Sequence, residues 1–366
     1  MRLLICAGGT GGGVYPALAV LQAVADRFES TLWVGGKGGM EADLVARYQL
    51  PYAEISAAGV HGVGLRALPG NLVKLLRGYF ESRRILREFK PDVLLFTGGF
   101  VAVPMALAGV KVNSLLYVPD IEPGMALKAL SRFADIIALT SAASKTYFHS
   151  AKNMTVTGYP TRTDLRVLPR DEALAAFNLT QDMPVLLVIG GSKGAHSLNQ
   201  AVFDNLTTLL EYVQVLHITG QLDWQIAVEM KAGLPSSIAS HYQVHAYLHD
   251  EISAAFSAAS IVLSRAGAST LGELPLFGLP AILVPYPYAW RYQKVNAGHL
   301  VEQDAAVIVE NAELSAKLVN VVNAMLADEN KIASMRANMR ALAMPDAAQK
   351  IADLLVELGS RKEGLK

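Results

Sequence analysis

The sequence predicts an α/β protein built from two doubly wound, Rossmann-like domains facing a cleft. Three observations carry this. Short runs rich in Val, Ile and Leu alternate with longer helical patterns along the chain, the signature of parallel strands joined by right-handed crossovers. The run Leu3-Leu4-Ile5-Cys6-Ala7-Gly8-Gly9-Thr10 is echoed by Leu186-Leu187-Val188-Ile189-Gly190-Gly191-Ser192. Each is a strand, a Gly-Gly pair and a hydroxyl residue before a helix, near the start of one half. The 366 residues exceed one ordinary core, and 52% hydrophobic against 17% charged residues supports large buried cores and excludes a disordered chain.

In chain order, the strand-like runs are 3–7, 31–34, 93–97, 114–118, 136–139, 185–189, 213–218, 261–264 and 281–284. The first ends in Gly8-Gly9-Thr10-Gly11-Gly12-Gly13, with Pro16 suited to the first turn of the following helix. In residues 72–80, the apolar Leu72, Leu75, Leu76, Tyr79 and Phe80 recur at helical spacing, followed by Arg83, Arg84 and Arg87. This pattern fits an interfacial membrane helix or a helix packed on its own sheet with solvated arginines. Residues 93–110 carry no charge, which is long enough for a membrane span, but Gly98-Gly99 and Pro104 interrupt them. A buried strand, turn and helix reads the same way and is preferred, because covered parallel strands are apolar on both faces. Pro160, Pro169 and Pro184 mark a domain boundary within 158–184.

Lysine plus arginine equals aspartate plus glutamate at 32 each, so the overall field makes no case for a nucleic-acid partner. Cys6 stands alone in an apolar run, which fits a buried small hydrophobe and a reducing compartment. The apolar stretch 3–7 is too short for a signal-peptide core, so no leader is expected.

The glycine turns bring backbone amides close to a ligand. From Gly9, a dinucleotide fingerprint needs a third glycine where Val14 stands, and the second strand ends Val34-Gly35-Gly36 without the ribose-binding acid. Neither turn has the Gly-Lys-Ser/Thr of a Walker loop. An anionic or sugar ligand suits them, and a nicotinamide oxidoreductase is disfavoured; each turn alone also reads as a tight strand–helix connection. The amides of Gly190-Gly191-Ser192-Lys193-Gly194 and the Ser192 hydroxyl suit a phosphate at a helix start. In Ser264-Arg265-Ala266-Gly267-Ala268-Ser269-Thr270-Leu271-Gly272-Glu273, helix-start amides would meet a diphosphate, and Glu273 one turn on would accept ribose hydroxyls. Taken alone, Thr270-x-x-Glu273 reads first as a capping box, and Pro275 should kink or shorten that helix. Gln293 and Asn296 offer amides suited to sugar hydroxyls or to a solvated helix start. His241, His245 and His249 fall four apart, but their neighbours read as a strand and its exit, and no carboxylate or thiolate cluster joins them, so no metal is expected.

Taken together, these residues resemble a known family. Ala7-Gly8-Gly9-Thr10-Gly11-Gly12 with Pro16, Gly39-Met40-Glu41, Lys90-Pro91-Asp92-Val93 and Gly98-Gly99-Phe100-Val101 match its first half. Gly158-Tyr159-Pro160-Thr161-Arg162, Gly190-Gly191-Ser192-Lys193-Gly194-Ala195 with Asn199, and Arg265-Ala266-Gly267-Ala268-Ser269-Thr270 with Glu273 match the second. The chain resembles, over nearly its whole length, the MurG-type undecaprenyl-diphospho-muramoylpentapeptide β-N-acetylglucosaminyltransferases of glycosyltransferase family 28. The resemblance implies a GT-B fold and inverting transfer of N-acetylglucosamine from UDP-GlcNAc to lipid I, giving lipid II in peptidoglycan synthesis. It implies no metal or other cofactor, and a peripheral protein at the cytoplasmic face of the cell membrane.

It further implies an acceptor- and membrane-facing domain at 1–160, with a helix at about 345–360 packing back on it, and a UDP-sugar domain at 161–344. Arg162, Ser192, Ala268, Ser269, Thr270 and Leu271 would contact the donor, Glu273 the ribose, Gln293 the sugar and Leu248 the uracil through its backbone. Thr10, Gly11 and Gly12 would sit near the donor sugar and the acceptor diphosphate, and the patch at 72–80 on the membrane. Two positions depart from the family. It carries His where this chain has Gly13, and His-Glu-Gln-Asn where this chain reads Tyr117-Val118-Pro119-Asp120. Asp120 is the candidate replacement base. The departures leave open a different lipid acceptor, such as a glycerolipid, or a UDP-sugar binding protein without turnover.

Overall fold

The computed structural model describes residues 1–8, 11–24, 26–39, 41–59, 68–148, 153–191, 194–288 and 291–361. The chain forms two compact units, Met1–Thr163 with Pro345–Lys366, and Asp164–Met344.

The first unit runs β1 (Arg2–Ala7), α1 (Gly11–Val24), β2 (Ser30–Gly36), α2 (Glu41–Ala46), β3 (Tyr52–Ile55), α3 (Leu68–Phe89), β4 (Val93–Gly98), α4 (Ala102–Ala108), β5 (Asn113–Val118), α5 (Met125–Leu130), β6 (Ile136–Leu139) and β7 (Met154–Val156). Its seven strands form one sheet in the order β3-β2-β1-β4-β5-β6-β7, and every pairing is parallel. Central strands covered on both faces need apolar residues at every position, not at alternate ones. Leu3, Leu4, Ile5, Val93, Leu94 and Leu95 are accordingly fully buried. Each contributes about 1.5–3 kcal/mol on leaving water.

The uncharged run at 93–110 is therefore β4, a glycine turn and α4, with Pro104 in that helix's first turn, where a missing N–H costs little. Among the described residues, no helix is long and apolar enough to cross a membrane. Cys6 is completely buried. Burial, with the Glu41 carboxylate as a lesser cause, pushes its thiol far above the usual range.

The second unit runs α6 (Arg170–Ala175), β8 (Val185–Ile189), α7 (His196–Leu209), β9 (Gln214–Ile218), α8 (Trp224–Ala232), β10 (Tyr242–His245), α9 (Ile252–Ala258), β11 (Ile261–Ser264), α10 (Thr270–Phe277), β12 (Ala281–Leu283), α11 (Tyr292–Glu302), β13 (Ala306–Ile308), α12 (Leu314–Leu326) and α13 (Glu329–Ala341). Its six parallel strands lie in the order β10-β9-β8-β11-β12-β13. α10 holds Pro275 and is eight residues long, closed by Gly278 in the left-handed region at φ 61°.

After the second unit the chain re-enters the first as α14 (Ala347–Ser360). Ile351, Leu355 and Leu358 are fully buried, and the helix packs on α1, β4 and β5. Asn113 Nδ2 donates to the Leu358 carbonyl at 2.9 Å, tying β5 to its end.

Candidate functional site

In an open doubly wound sheet, ligands bind beyond the carboxyl ends of the strands where the winding direction reverses. In the second unit that point lies between β8 and β11: β9 and β10 extend to one side, β12 and β13 to the other. The turns after these two strands are the glycine segments singled out in the sequence, and they wall a cavity of about 630 Å³.

The β8 turn depends on its glycines. Gly191 (φ 90°) and Gly194 (φ 78°) occupy the left-handed region, and the Gly194 N–H donates to the Gly191 carbonyl at 2.9 Å. A Cβ on Gly190 would overlap the Ala195 amide nitrogen, and one on Gly194 the Thr219 carbonyl oxygen. α7 then starts at His196, and its N-cap, Ala195, supplies no side-chain cap.

On the β11 side, Ser269 is the N-cap of α10 and makes no side-chain cap hydrogen bond. The Thr270 hydroxyl donates to the Gly267 carbonyl at 2.6 Å, and the Glu273 N–H donates to the Ser269 carbonyl at 2.9 Å. Thr270 is thus inside the helix, and the capping box read from Thr270-x-x-Glu273 does not form around it.

Of the expected donor residues, Ser269, Thr270, Glu273 and Gln293 line this cavity. Gln293 is held by accepting the Tyr286 N–H at 2.8 Å. Asn296 is buried, with Nδ2 donating to the Ala266 carbonyl at 3.2 Å, so it braces the turn from beneath. Ala268, Leu271 and Leu248 are buried and are not among the cavity-lining residues. Arg162 belongs to the first unit. Ser192 and Thr10 lie outside the described residues. The three spaced histidines go to different partners. His241 Nδ1 meets the Leu210 carbonyl at 3.2 Å, His245 packs edge-on to Phe177, and His249 tilts on Tyr247.

Arg265 was not assigned a role from the sequence, yet it holds the cavity wall together. Its Nη1 donates to the Val284 carbonyl (3.0 Å) and to Asn311 Oδ1 (2.9 Å), and its Nη2 to Ser197 Oγ (2.6 Å). The guanidinium also lies 5.3 Å from the centre of the Tyr286 ring. One planar five-donor group therefore joins loops from β11 and β12, helix α7 and the turn before α12. Partial burial lowers its pKa from the ordinary arginine value, the Tyr286 phenol opposing. Tyr286 and Tyr288, edge to face at 5.5 Å, complete the outer wall.

Behind α7 lies a buried polar network. His217 Nδ1 meets Tyr242 OH at 2.9 Å and Nε2 meets Asn199 Oδ1 at 3.0 Å. Burial pushes His217 down to about 3 from an ordinary 6.5, Asp223 opposing. The folded protein thus holds this imidazole neutral, while the unfolded chain protonates it below about 6.5. Stability from this residue is complete above pH 6.5 and declines as pH falls toward 3, by up to about 1.4 kcal/mol per pH unit. Urea titrations at several pH values check this: His217→Gln should lower stability at neutral pH yet flatten the acid limb between pH 6.5 and 3.

The first unit reverses its winding between β1 and β4, so the turns after these strands stand at its corresponding position. A Cβ on Gly99, at the β4 turn, would overlap the Gly8 carbonyl oxygen of the β1 turn. Gly11 and Gly12 open α1. Gly13 is buried, with its carbonyl accepting from Thr97 Oγ1 at 2.6 Å, and a Cβ there would sit 3.2 Å from the Thr97 carbonyl oxygen.

Glu41, completely buried, takes the Gly36 N–H on Oε1 at 2.7 Å. Its carboxylate fills the space that side chains on Gly8 or Gly39 would need. The sequence carried Glu41 only as part of a matching motif; its role in setting the first glycine turn needed the coordinates. At the end of β5, Tyr117 and Val118 are fully buried, and Asp120, two residues beyond it, is half-buried. Tyr117 OH pairs with Thr140 Oγ1 at 2.6 Å, and burial holds the phenol well above its usual range.

On α3, Leu72, Val73, Leu76 and Phe80 are 62%, 64%, 58% and 59% exposed. Leu75 and Tyr79 are half-buried, so the outward apolar face includes Val73 in their stead.

Residues 3–139 match the glycosyltransferase family 28 N-terminal domain, and residues 185–351 the family 28 C-terminal domain. A protein of Roseiflexus sp. (strain RS-1), named UDP-N-acetylglucosamine--N-acetylmuramyl-(pentapeptide) pyrophosphoryl-undecaprenol N-acetylglucosamine transferase, is 37% identical over 99% of this chain and 96% of its own. A Bacillus subtilis (strain 168) protein of the same name is 32% identical over 98% of this chain and 99% of its own. The crystal structure of Acinetobacter baumannii MurG superposes with a TM-score of 0.80 at 27% identity, covering 97% of this chain and 99% of that one. The calicheamicin glycosyltransferase CalG4, at 14% identity and a TM-score of 0.66 over 98% of both chains, shares the fold. Two parallel-sheet Rossmann-like units with these neighbours make the GT-B architecture, and the chain belongs to glycosyltransferase family 28, among its MurG-type N-acetylglucosaminyltransferases.

Proposed function

We propose that the chain transfers N-acetylglucosamine from UDP-GlcNAc, with inversion, to the muramoyl-pentapeptide carried on a polyprenyl diphosphate. The observation that carries this is the second-unit cavity, where two glycine turns at the winding reversal meet Glu273 and Gln293. The chemistry needs a stabilised diphosphate leaving group and a deprotonated acceptor hydroxyl. Amides at the start of α10 and Arg162 serve the first need. Ser192 and the Ala268-to-Leu271 backbone add donor contacts, Glu273 takes the ribose, the Leu248 backbone the uracil and Gln293 the sugar. Thr10, Gly11 and Gly12 serve the acceptor diphosphate. The test is UDP release with purified lipid-linked muramoyl-pentapeptide; UDP binding without release under that acceptor would refute the reaction.

Asp120 is proposed as the base, because Tyr117 and Val118, which stand where the family carries His and Glu, are sealed in the core. Asp120→Asn should cut turnover about a hundredfold or more, within the usual span of general-base catalysis, and keep UDP-GlcNAc affinity. Unchanged turnover removes Asp120 from the mechanism. The same buried residues favour a second reading, a different lipid acceptor on the same donor; diacylglycerol assayed beside the muramoyl lipid separates the two.

The α3 face is proposed to rest on the cytoplasmic membrane surface. Leu72, Val73, Leu76 and Phe80 face outward, with Lys74 and Arg77 alongside, the composition of an interfacial helix. Leu76→Glu with Phe80→Glu should lower partition onto anionic vesicles at least about tenfold, given roughly 1.5–3 kcal/mol per buried side chain. UDP binding should not change. Flotation with phosphatidylglycerol vesicles measures it.

A further inference from the structure

His196 is the first residue of α7 and lines the second-unit cavity. Its side chain is 71% exposed, yet Nδ1 stands 3.0 and 3.1 Å from the two carboxylate oxygens of Asp223. Asp223 itself is buried. It occupies the N-cap of α8, where an aspartate ordinarily accepts helix amides, and makes no such bond. Its carboxylate instead accepts Asn199 Nδ2 at 2.6 Å. Asn199 is fixed in turn by the Thr219 carbonyl (2.8 Å) and by His217, which Tyr242 holds. A buried network thus aims one carboxylate at one exposed ring, at the cost of a helix cap. An ordinary surface ion pair is worth little and needs no such backing.

The orientation has a chemical consequence. A carboxylate only accepts, so the His196 Nδ1 carries a hydrogen, and Nε2 is the ring nitrogen left for the cavity. A phosphate oxygen only accepts, so Nε2 meets it as a donor, and the Asp223 carboxylate beside Nδ1 balances the charge of a ring that donates from both nitrogens. The side of approach narrows the ligand group. Gln293, proposed for the sugar, enters from beyond β12, whereas His196 follows the β8 turn, next to β9. We propose that His196 binds the diphosphate of the donor through Nε2, with Asp223 as its positioning residue. This rests on the UDP-sugar reading above and assigns a further contact within it.

The test is isothermal titration of the intact protein with UDP, UDP-GlcNAc and uridine, beside steady-state kinetics. His196→Ala should weaken UDP and UDP-GlcNAc equally, by about tenfold, the worth of a hydrogen bond to a charged group. Uridine binding should be unchanged, and kcat/KM for UDP-GlcNAc should fall at least as far as UDP affinity, because the departing diphosphate gains negative charge in the transition state. His196→Arg should restore most of the affinity by supplying another cationic donor. Asp223→Asn should weaken UDP in the wild-type background and change nothing further when added to His196→Ala. Because Asp223 is buried, the exposed His196 variants decide the matter if Asp223→Asn fails to fold. Undiminished UDP binding by His196→Ala overturns this inference alone, as does an equal loss for uridine or a loss confined to UDP-GlcNAc. Wild-type protein that binds no uridine nucleotide overturns the UDP-sugar reading and this inference with it.

Discussion

Glu273→Ala is expected to lower kcat/KM for UDP-GlcNAc by roughly a hundredfold, and the affinity for UDP by a similar factor. Glu273 lies one turn into α10 on the cavity wall. A carboxylate accepting two ribose hydroxyls makes two hydrogen bonds to a charged group, each worth about 1.5–3 kcal/mol net, of which solvent exposure of the site removes part. Glu273→Gln keeps one acceptor oxygen and should fall between the wild type and alanine. The loss should vanish for ligands without the ribose: inorganic pyrophosphate should inhibit wild type and variant equally. Equal affinity of Glu273→Ala and wild type for UDP would remove the ribose contact from the reading.

The second large effect is conformational. Gly194→Ala should destabilise the second unit by about 3 kcal/mol or more and abolish UDP binding. Alanine at φ 78° costs roughly 1–2 kcal/mol by itself. Its methyl group would also overlap the Thr219 carbonyl oxygen, which accepts the buried Asn199 amide at 2.8 Å. The turn therefore cannot relax without pulling on the network behind α7. Gly191→Ala is the control. That residue has φ 90° but open space around its Cβ position, so only the torsional cost of about 1–2 kcal/mol applies. Urea unfolding monitored by intrinsic fluorescence separates the two, and equal losses would mean that the clash at Gly194 is relieved.

All nine strand-like runs in the sequence fall on strands, because parallel strands covered on both faces are largely apolar and stand out as short unbroken runs. The sequence reading missed β3, β7 and β13, three- or four-residue edge strands with one neighbour each. Such segments are too short to show a period, and only their sheet partner makes them strands. The site shows the same division. Ser269, Thr270 and Glu273 follow from local sequence, since one turn and one helix carry all three. Arg265 joins Ser197 and Asn311, 68 and 46 residues away in sequence, and no local pattern encodes such a meeting. Ala268 and Leu271, which the resemblance implies as donor contacts, have buried side chains, and no local pattern separates them from the cavity-lining Ser269, Thr270 and Glu273.

The return of α14 to the first unit has a consequence for synthesis. Every strand of the second unit is encoded before that helix, so the second unit can complete its core while the first is still open. At roughly 5–20 residues per second, the roughly 180 residues between Thr163 and Pro345 take on the order of ten seconds or more to translate. During that interval, the apolar surface of α1, β4 and β5 that Ile351, Leu355 and Leu358 later cover has no lid. A nascent chain halted before Pro345 should therefore be a better chaperone client than one released after Ser360.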